Sequence, residues 1–408
     1  MVTKSSLRIA VDMTPVLSNG ENGGSKVLVL TLFKQLQTLA SQYKFFLLTA
    51  PWNHAELLEY QTENTQCILI DSLVPADPPP PPISDRRVVR LAHKVTRKIK
   101  GKLKQFYPEK SLLKKHRVDL LFCPFSAPNF AEKDIPTVAI VYDLQHLDYP
   151  DFFTDEERQH RDQFLNNLLQ VAQKLICISE FSRQSFLTKL NAPAEKLAVT
   201  YISVHDRWPG LDPATVTKNL QELGLSDRSY AFYPANYWPH KNHRMLLTAY
   251  EIYQNNFPGN TLNLVFTGAL KQEEQKLQEM VAEAGLSDRV HFLGYLSEAH
   301  LESVWRGCHV LVFPSLYEGF GIPVLEGMIF GKPVLSSTAG SLPEVGGNAV
   351  IYFDPKDPEE LANCLSQIDR NETAATDLIQ KGYERLKQFE SEKMVQEYLK
   401  VFLEVVRK

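Results

Sequence analysis

The sequence predicts an α/β protein built from two doubly wound parallel sheets. Short apolar runs alternate with longer amphipathic stretches along the 408 residues, which is typical of repeated βαβ units. Many of the runs are continuously apolar, as in parallel strands that are covered on both faces. The alternation breaks twice, at a proline-rich segment and again near residue 205. These observations favour two α/β domains of roughly 200 residues each.

Each domain has its own series of predicted strands. The first domain is expected over 1–204, with strands at 7–11, 44–49, 67–70, 118–122, 137–141 and 174–178 and helices over 26–42 and 155–172. The second is expected over 205–390, with strands at 230–234, 262–267, 290–293, 309–313 and 333–336 and helices over 271–284 and 297–306. Apolar residues that share a helical face predict a last helix within 391–408.

The composition excludes several classes of protein. Hydrophobic residues make up 44% and charged residues 23%, so the chain is not disordered. No apolar run reaches the ~18 residues that a transmembrane helix needs, and the N-terminus, with Asp12 in its apolar stretch, reads as a first strand. The five cysteines are scattered and odd in number, which indicates buried thiols in a reducing compartment rather than a metal site or disulfides. We therefore expect a cytoplasmic protein.

One basic segment interrupts the first domain. Five consecutive prolines introduce an insertion over 75–117, and within it residues 86–117 contain 13 Lys or Arg and one acid, Glu109, although the whole chain has a net charge of −4. Interleaved apolar residues suit contact with an anionic membrane surface or a diphosphate-linked lipid. A solvated, flexible insertion is an equal alternative. Nucleic acid is disfavoured as a partner, because the rest of the chain is acidic.

The most informative motif is YEGFGIPVLE at 317–326, which follows an apolar strand and leads into a predicted helix. A glycine-bearing loop before a helix exposes backbone N–H groups that favour anions such as phosphate. Glu318 lies on this loop, and Glu326, eight residues later, is expected about two turns into the helix. A carboxylate there suits the paired hydroxyls of a ribose. The alternative is a turn with two solvated glutamates.

A second motif, YPANYWPHKNHR at 233–244, also follows a strand and precedes a helix. It therefore lies at the carboxyl end of a strand, where open α/β sheets bind ligands. Lys241 offers a compact positive charge for a diphosphate. Taken alone, it reads better as a solvated surface lysine.

Together the two motifs resemble the second domain of retaining GT-B glycosyltransferases of glycosyltransferase family 4. That family combines a basic loop with a Glu-x7-Glu element, here Glu318 and Glu326. The likeness covers nearly all of 230–360 and rests on shorter pieces in the first half, such as ENGGSKV at 21–27 and VYDLQHLDYPDFF at 141–153. It implies the GT-B fold, in which two Rossmann-like domains face each other across a cleft and the last helix crosses back to the first domain.

The resemblance also implies roles for individual residues. Glu318 would lie near the transferred sugar, Glu326 would bind the ribose and Lys241 the diphosphate. Further donor contacts would come from the glycine loop of the first domain, from the Glu-x7-Glu loop and from backbone near the base, which are Gly23, Gly24, Gly319, Phe320, Gly321, Ile322, Tyr295 and Leu296.

The chain departs from the family pattern at two places. Asn236 stands where the family often has Arg, so one charge expected at the diphosphate is missing. Either Arg244 or a histidine of this loop compensates for it, or the leaving group is less neutralised. Tyr142-Asp143 stands where many members have His-Asp. Asp143 and His146 remain catalytic candidates, although His146 reads equally well as a histidine of the core.

These features predict a metal-independent hexosyltransferase without a cofactor, since the sequence shows no well-placed Asp-x-Asp and no metal-ligand cluster. The resemblance implies retention of the anomeric configuration and an acceptor in polysaccharide assembly, either a saccharide or a lipid-linked saccharide. We expect UDP-glucose as the donor. The alternatives are transfer of mannose from GDP-mannose, and a catalytically silent protein that binds a nucleotide sugar. A dehydrogenase is disfavoured, because no GxGxxG follows the first strand.

Overall fold

The computed structural model describes residues 6–17, 24–73, 112–208, 210–268 and 271–407. Most of the basic insertion, including 86–111, lies outside the described residues, as does Gly23. By the density of internal contacts the chain forms two compact units. The first comprises the described parts of Met1–Ile140, Gln170–Lys174 and Val401–Lys408, and the second comprises Val141–Leu169 and Leu175–Lys400.

Thirteen strands are assigned in the described part of the chain, and they form two parallel sheets, which confirms the predicted fold class. Seven strands form the first sheet in the order β3-β2-β1-β4-β5-β6-β7: β1 Arg8–Asp12, β2 Lys44–Thr49, β3 Thr65–Leu69, β4 Leu120–Cys123, β5 Thr137–Val141, β6 Lys174–Cys177 and β7 Leu197–Val199. Six form the second in the order β10-β9-β8-β11-β12-β13: β8 Tyr230–Pro234, β9 Asn263–Thr267, β10 Val290–Phe292, β11 Val310–Phe313, β12 Val334–Ser337 and β13 Ile351–Phe353.

Most of the described helices fall between strands, as the sequence pattern predicts, and the last three follow β13. They are α1 Gly24–Leu39, α2 His54–Leu57, α3 Leu112–Lys115, α4 Gln145–Asp148, α5 Asp155–Val171, α6 Glu180–Lys189, α7 Pro213–Glu222, α8 His243–Asn256, α9 Lys271–Glu283, α10 Glu298–Gly307, α11 Ile322–Ile329, α12 Leu342–Gly346, α13 Pro358–Arg370, α14 Glu372–Leu386 and α15 Ser391–Val406. None of the described helices is long and apolar enough to cross a membrane.

The sheet interiors supply most of the core. Every residue of β4, β5 and β11 is buried, as expected for strands covered on both faces. The sequence missed two strands, β7 and β13. Each has only three residues and lies at the edge of its sheet, and two of its three residues are half-buried. Their residues, LAV and IYF, are apolar like those of the central strands, but each strand is shorter.

The apolar face predicted for the C-terminal helix is buried. Its five members are no more than 8% exposed: Met394, Tyr398, Val401, Phe402 and Val405. Within the first unit, the Phe402 ring lies 5.1 Å from that of Phe122 on β4, and Lys174 pairs with Glu404 at 3.1 Å. The end of α15 is therefore part of the core of the first unit.

Candidate active site

The order of the second sheet places two loops side by side. From β8 the chain continues outward through β9 to β10, and from β11 it continues in the opposite direction through β12 to β13. The neighbours β8 and β11, which pair in parallel, therefore form the switch point of the sheet. Ligands of open α/β sheets bind at the carboxyl ends of the strands at such a point. The two loops that leave the sheet there are 235–242 and 314–321, which contain the two motifs found in the sequence.

Hydrogen bonds between the two loops fix their relative position. The amide of Leu316 donates to the carbonyl of His240 at 2.7 Å, and the side-chain amide of Asn242 donates to the carbonyl of Pro314 at 3.1 Å. Asn242 has φ +60, a left-handed conformation that asparagine tolerates better than most residues. It ends the turn that contains Lys241 and starts α8. The lysine is therefore held on a constrained backbone.

Lys241 and Glu318 form an ion pair across these loops. Nζ of Lys241 lies 2.6 Å from Oε1 of Glu318, and their side chains are only 18% and 13% exposed. Nζ also lies 5.3 Å from the centroid of the Phe313 ring. The interpretation of Lys241 as a solvated surface lysine is therefore wrong, and so is that of Glu318 as a solvated glutamate. In this protein the two predicted donor-site charges neutralise each other.

The loop after β11 requires glycine for steric reasons. A Cβ on Gly319 would lie 2.6 Å from the carbonyl oxygen of Tyr142, and a Cβ on Gly321, which has φ +99, would lie 2.4 Å from the Leu342 side chain. Ile322 begins α11, and Pro323 lies in its first turn, where no intrahelical donor is lost. Phe320 is buried at 3% exposure, and its ring centroid lies 5.9 Å from that of Phe389.

Glu326 is buried in α11 and pairs with an arginine that the sequence did not suggest. Because α11 begins at Ile322, Glu326 lies about one turn into the helix, and the prediction of two turns is wrong. Its Oε1 accepts a hydrogen bond from Nη1 of Arg207. Burial raises the pKa of Glu326, and the charge and hydrogen bond of Arg207 lower it. The interpretation of Glu326 as solvated is also wrong.

Asp143 lies on the loop after β5 and His146 on the short helix α4 that follows, both within the second unit. The Asp143 Cβ lies 3.2 Å from the position that a Cβ of Gly319 would occupy, so the two loops touch. Burial raises the pKa of Asp143, and nearby Glu318 raises it further, against the opposing charges of Arg161 and His146.

His146 is 2% exposed and its Nε2 lies 3.1 Å from Oδ1 of Asp162. Its Nδ1 is buried without a hydrogen-bond partner among the described residues. The burial agrees with the core interpretation. A catalytic role for His146 stays a prediction, and the Asp162 contact offers a way to test it.

The histidines of the β8 loop have lowered pKa values. Burial, followed by the charge of Lys241, lowers the pKa of His240 to about 4 and that of His243 to about 3. Both rings are therefore neutral at physiological pH. His243 packs between the rings of Tyr233 and Tyr237, each 4.8 Å away, and serves the core. Arg244, the other group named as a replacement for the missing arginine, has an exposed side chain.

The remaining predicted residues lie on other segments of the chain. Tyr295 and Leu296 follow β10, and Tyr295 is 70% exposed. The loop before them contacts the loop after β9, because the amide of Gly268 donates to the carbonyl of Gly294 at 2.9 Å. Gly24 is the first residue of α1 in the first unit, and its predicted partner Gly23 lies outside the described residues. Among the residues that the structure describes, no group of three or more His, Cys, Asp or Glu side chains is arranged to hold a metal ion.

Two family models together match most of the chain. Residues 23–207 match Glycosyltransferase Family 4, and residues 216–385 match Glycosyl transferases group 1. The two matches meet at the break near residue 205 and include both loops of the candidate site. The chain belongs to the GT-B glycosyltransferases of this group 1 and family 4 type.

Relatives with curated names share this assignment. The glycosyltransferase is 28% identical over 268 residues to the O-antigen chain mannosyltransferase B of Escherichia coli, an alignment that covers 65% of this chain and 68% of the relative. It is 26% identical over 234 residues to the O-antigen chain mannosyltransferase RfbU of Salmonella typhimurium, covering 56% and 60%.

A solved structure of the same fold covers nearly the whole chain. HepE of Anabaena, in complex with UDP-glucose, superposes with a TM-score of 0.72 at 18% identity, over 98% of this chain and 100% of that one. At this identity the likeness establishes the two-domain fold and nothing finer.

Sequence reasoning missed two residues of the candidate site. Arg207 lies in the turn-rich segment between the predicted domains, where no spacing links it to Glu326. Asp162 lies on α5, 16 residues after His146, and resembles the other acids of that polar helix. Neither residue belongs to a motif, so only the fold reveals these pairings.

Proposed function

We propose that this glycosyltransferase moves a hexose from a nucleotide diphosphate sugar to a saccharide or lipid-linked saccharide acceptor in polysaccharide assembly. The observation that carries the proposal is the Lys241–Glu318 pair at the β8/β11 switch point, beside the glycine loop that opens α11. A cation and free amides suit the diphosphate, and carboxylates suit sugar hydroxyls.

Transfer needs stabilisation of two developing charges. As the bond from the anomeric carbon to the diphosphate breaks, negative charge builds up on phosphate and positive charge on the sugar. Lys241 and the amides of Gly319, Phe320 and Gly321 would stabilise the phosphate. Glu318 or Asp143 would orient the sugar and ease its positive charge. Because these groups belong to the chain itself, we propose transfer without a metal ion.

Donor binding would exchange one partner of an existing ion pair. In the protein alone Glu318 neutralises Lys241 at 2.6 Å. A bound diphosphate would take over the lysine, and the sugar hydroxyls would then donate to the freed carboxylate. We further propose same-face attack by the acceptor hydroxyl, whose proton passes to the leaving phosphate, with retention of configuration.

Mannose is the sugar that the curated relatives favour, since both are named O-antigen chain mannosyltransferases. We therefore propose a nucleotide diphosphate mannose such as GDP-mannose as the donor. UDP-glucose, the donor expected from the sequence, is the comparison in the test.

The basic segment 86–117 is proposed to contact anionic lipid, and vesicle co-sedimentation with and without anionic lipid tests this separately.

The test is a thermal-shift screen with UDP, GDP, ADP and their sugar conjugates, followed by assay of nucleotide release. We expect GDP and GDP-mannose to raise the melting temperature most, and GDP-mannose to release GDP slowly without an acceptor. Tight binding without any turnover would favour the silent binding protein. No stabilisation by any nucleotide would contradict the proposal.

A further inference from the structure

We infer that Arg207 is a positioning residue of the donor site, which holds Glu326 as an oriented carboxylate for the ribose. The inference rests on the proposed function and adds a residue outside the Glu-x7-Glu motif. Arg207 follows the last strand of the first sheet and precedes α7, so its link to α11 depends entirely on the tertiary fold.

The geometry of the pair leaves little freedom to either partner. The side chains of Arg207 and Glu326 are only 14% and 4% exposed, and Nη1 donates to Oε1. The guanidinium lies over the indole of the adjacent Trp208, with its central carbon 4.3 Å from the ring centroid. The indole packs edge-on against Phe330 at 5.2 Å, and Phe330 stacks on Trp305 at 5.6 Å. An aromatic wall therefore fixes the cation, and the cation fixes the carboxylate.

Other charged groups around α11 are directed elsewhere. Two helices that pack against α11, namely α12 and α14, carry charged and titratable side chains, and so do the residues beside Arg207. In the part of the chain that the structure describes, these are Glu344, Glu372, Asp377, Lys381, Tyr383, Glu384, Arg385, His205 and Asp206. Glu344 accepts from the amides that open α6, Lys381 pairs with Asp377, and Arg385 donates to the carbonyls of Glu344 and Val345. Arg207 is the sole charged group among the described residues that perturbs the pKa of Glu326.

The pair matters for ribose binding because of what a carboxylate can accept. Ribose hydroxyls donate, and an ionised carboxylate accepts through two oxygens, one of which Arg207 occupies. A buried carboxyl group without its cation takes up a proton near neutral pH. It then offers fewer acceptor sites in a less fixed orientation. Removing Arg207 should therefore weaken nucleotide binding through Glu326, without Arg207 touching the nucleotide.

The first test measures the affinity for UDP and GDP by calorimetry across about pH 5 to about pH 9. In the unaltered protein, affinity falls as the pH drops through the pKa of Glu326. In Arg207→Gln this loss begins at higher pH. At a pH below the pKa of Glu326 in both proteins, the affinity of the variant is lower by about tenfold for each unit by which the substitution raises that pKa. In alkaline buffer the affinity of the variant recovers. Arg207→Lys restores most of the affinity, since it returns the charge.

The chain offers a matched control. Arg306 pairs at 2.7 Å with Glu302, which is fully buried, and its guanidinium lies over the same Phe330 ring at 5.8 Å. Arg306→Gln should cost stability in the same way but leave the pH dependence of nucleotide affinity unchanged. Arg207→Gln in a Glu326→Gln background should add no further loss of affinity. A loss that is equal at every pH, or that persists in that background, would overturn the inference.

A second measurement does not depend on a nucleotide. An unpaired Glu326 has a raised pKa in the folded state, so its penalty on stability grows as the pH rises above the unfolded pKa. The melting temperature of Arg207→Gln should therefore fall further below that of the unaltered protein at alkaline pH, and Glu326→Gln should remove this pH dependence. If neither UDP nor GDP bound the unaltered protein, that would count against the proposed function. A pH-independent melting deficit would count against the role of Arg207.

Discussion

Replacing Lys241 tests its proposed role in catalysis separately from its role in stability. The Lys241 side chain is 18% exposed and pairs at 2.6 Å with a carboxylate that is 13% exposed. Lys241→Ala would leave Glu318 unpaired in a site that is largely closed to water. We expect a loss of ~3 kcal/mol in the free energy of unfolding, the low end for one partner of a buried pair.

The effect of Lys241→Ala on turnover should be about as large in free energy as its effect on stability, but it should arise from lost stabilisation of the developing anion. Loss of a single group that stabilises a developing anion reduces the rate by roughly 10²-fold, which is about 2.7 kcal/mol. The double variant Lys241→Met with Glu318→Gln removes both charges while it keeps similar shapes. It should recover most of the stability, because no unpaired charge remains buried. It should not recover turnover.

The assay combines denaturant unfolding with release of GDP or UDP from the sugar donor, both measured on the single variants and the double variant. Arg306→Gln, which disturbs a buried ion pair on α10, reports what lost stability alone does to the rate. A folded double variant that turns over within about threefold of the unaltered protein would refute the assignment of Lys241 to the diphosphate, since ~10²-fold is expected.

Three further predictions concern the rest of the site and the C-terminus. Glu326→Ala should weaken UDP and GDP about tenfold or more, whereas Glu318→Ala should leave nucleotide binding nearly intact and slow the chemical step; calorimetry and rates that show the reverse would mean that the two roles are exchanged. If His146 acts through its contact with Asp162, then His146→Gln and Asp162→Asn should lower kcat alike, and the double variant should be no worse; normal kcat in Asp162→Asn would leave His146 as a core residue. Deleting 391–408 should lower the melting temperature by several degrees or prevent folding, because it removes buried side chains; an unchanged melting curve would show that this helix adds nothing to stability.

The fold was predictable because its signal is carried by single segments. The central strands β4, β5, β8 and β11 are continuous apolar runs, and each is found within two residues of its predicted bounds. The edge strands β7 and β13 are apolar but only three residues long, and the sequence pattern did not reveal them. Asn242 and Gly321 adopt left-handed conformations at the starts of α8 and α11, which the sequence analysis did not predict.

The candidate site was predictable only as far as its motifs reach. The loops that carry Lys241 and Glu318 could be placed at one sheet edge, because both follow strands at their carboxyl ends. Their ion pair, and the pairing of Glu326 with Arg207, join residues that are 77 and 119 positions apart. No periodicity relates such residues. The neutral state of His240 likewise depends on burial that its polar neighbours in the sequence do not suggest.

The most direct test of the account is a crystal structure of the unaltered protein with GDP, and in parallel with UDP. We predict that the diphosphate lies against Nζ of Lys241 and the amides of Gly319 to Gly321, with the Lys241–Glu318 pair opened. The ribose hydroxyls should donate to Glu326, which keeps its contact with Arg207. A nucleotide bound away from the β8/β11 switch point, or one that leaves the Lys241–Glu318 pair unchanged, would contradict the central claim.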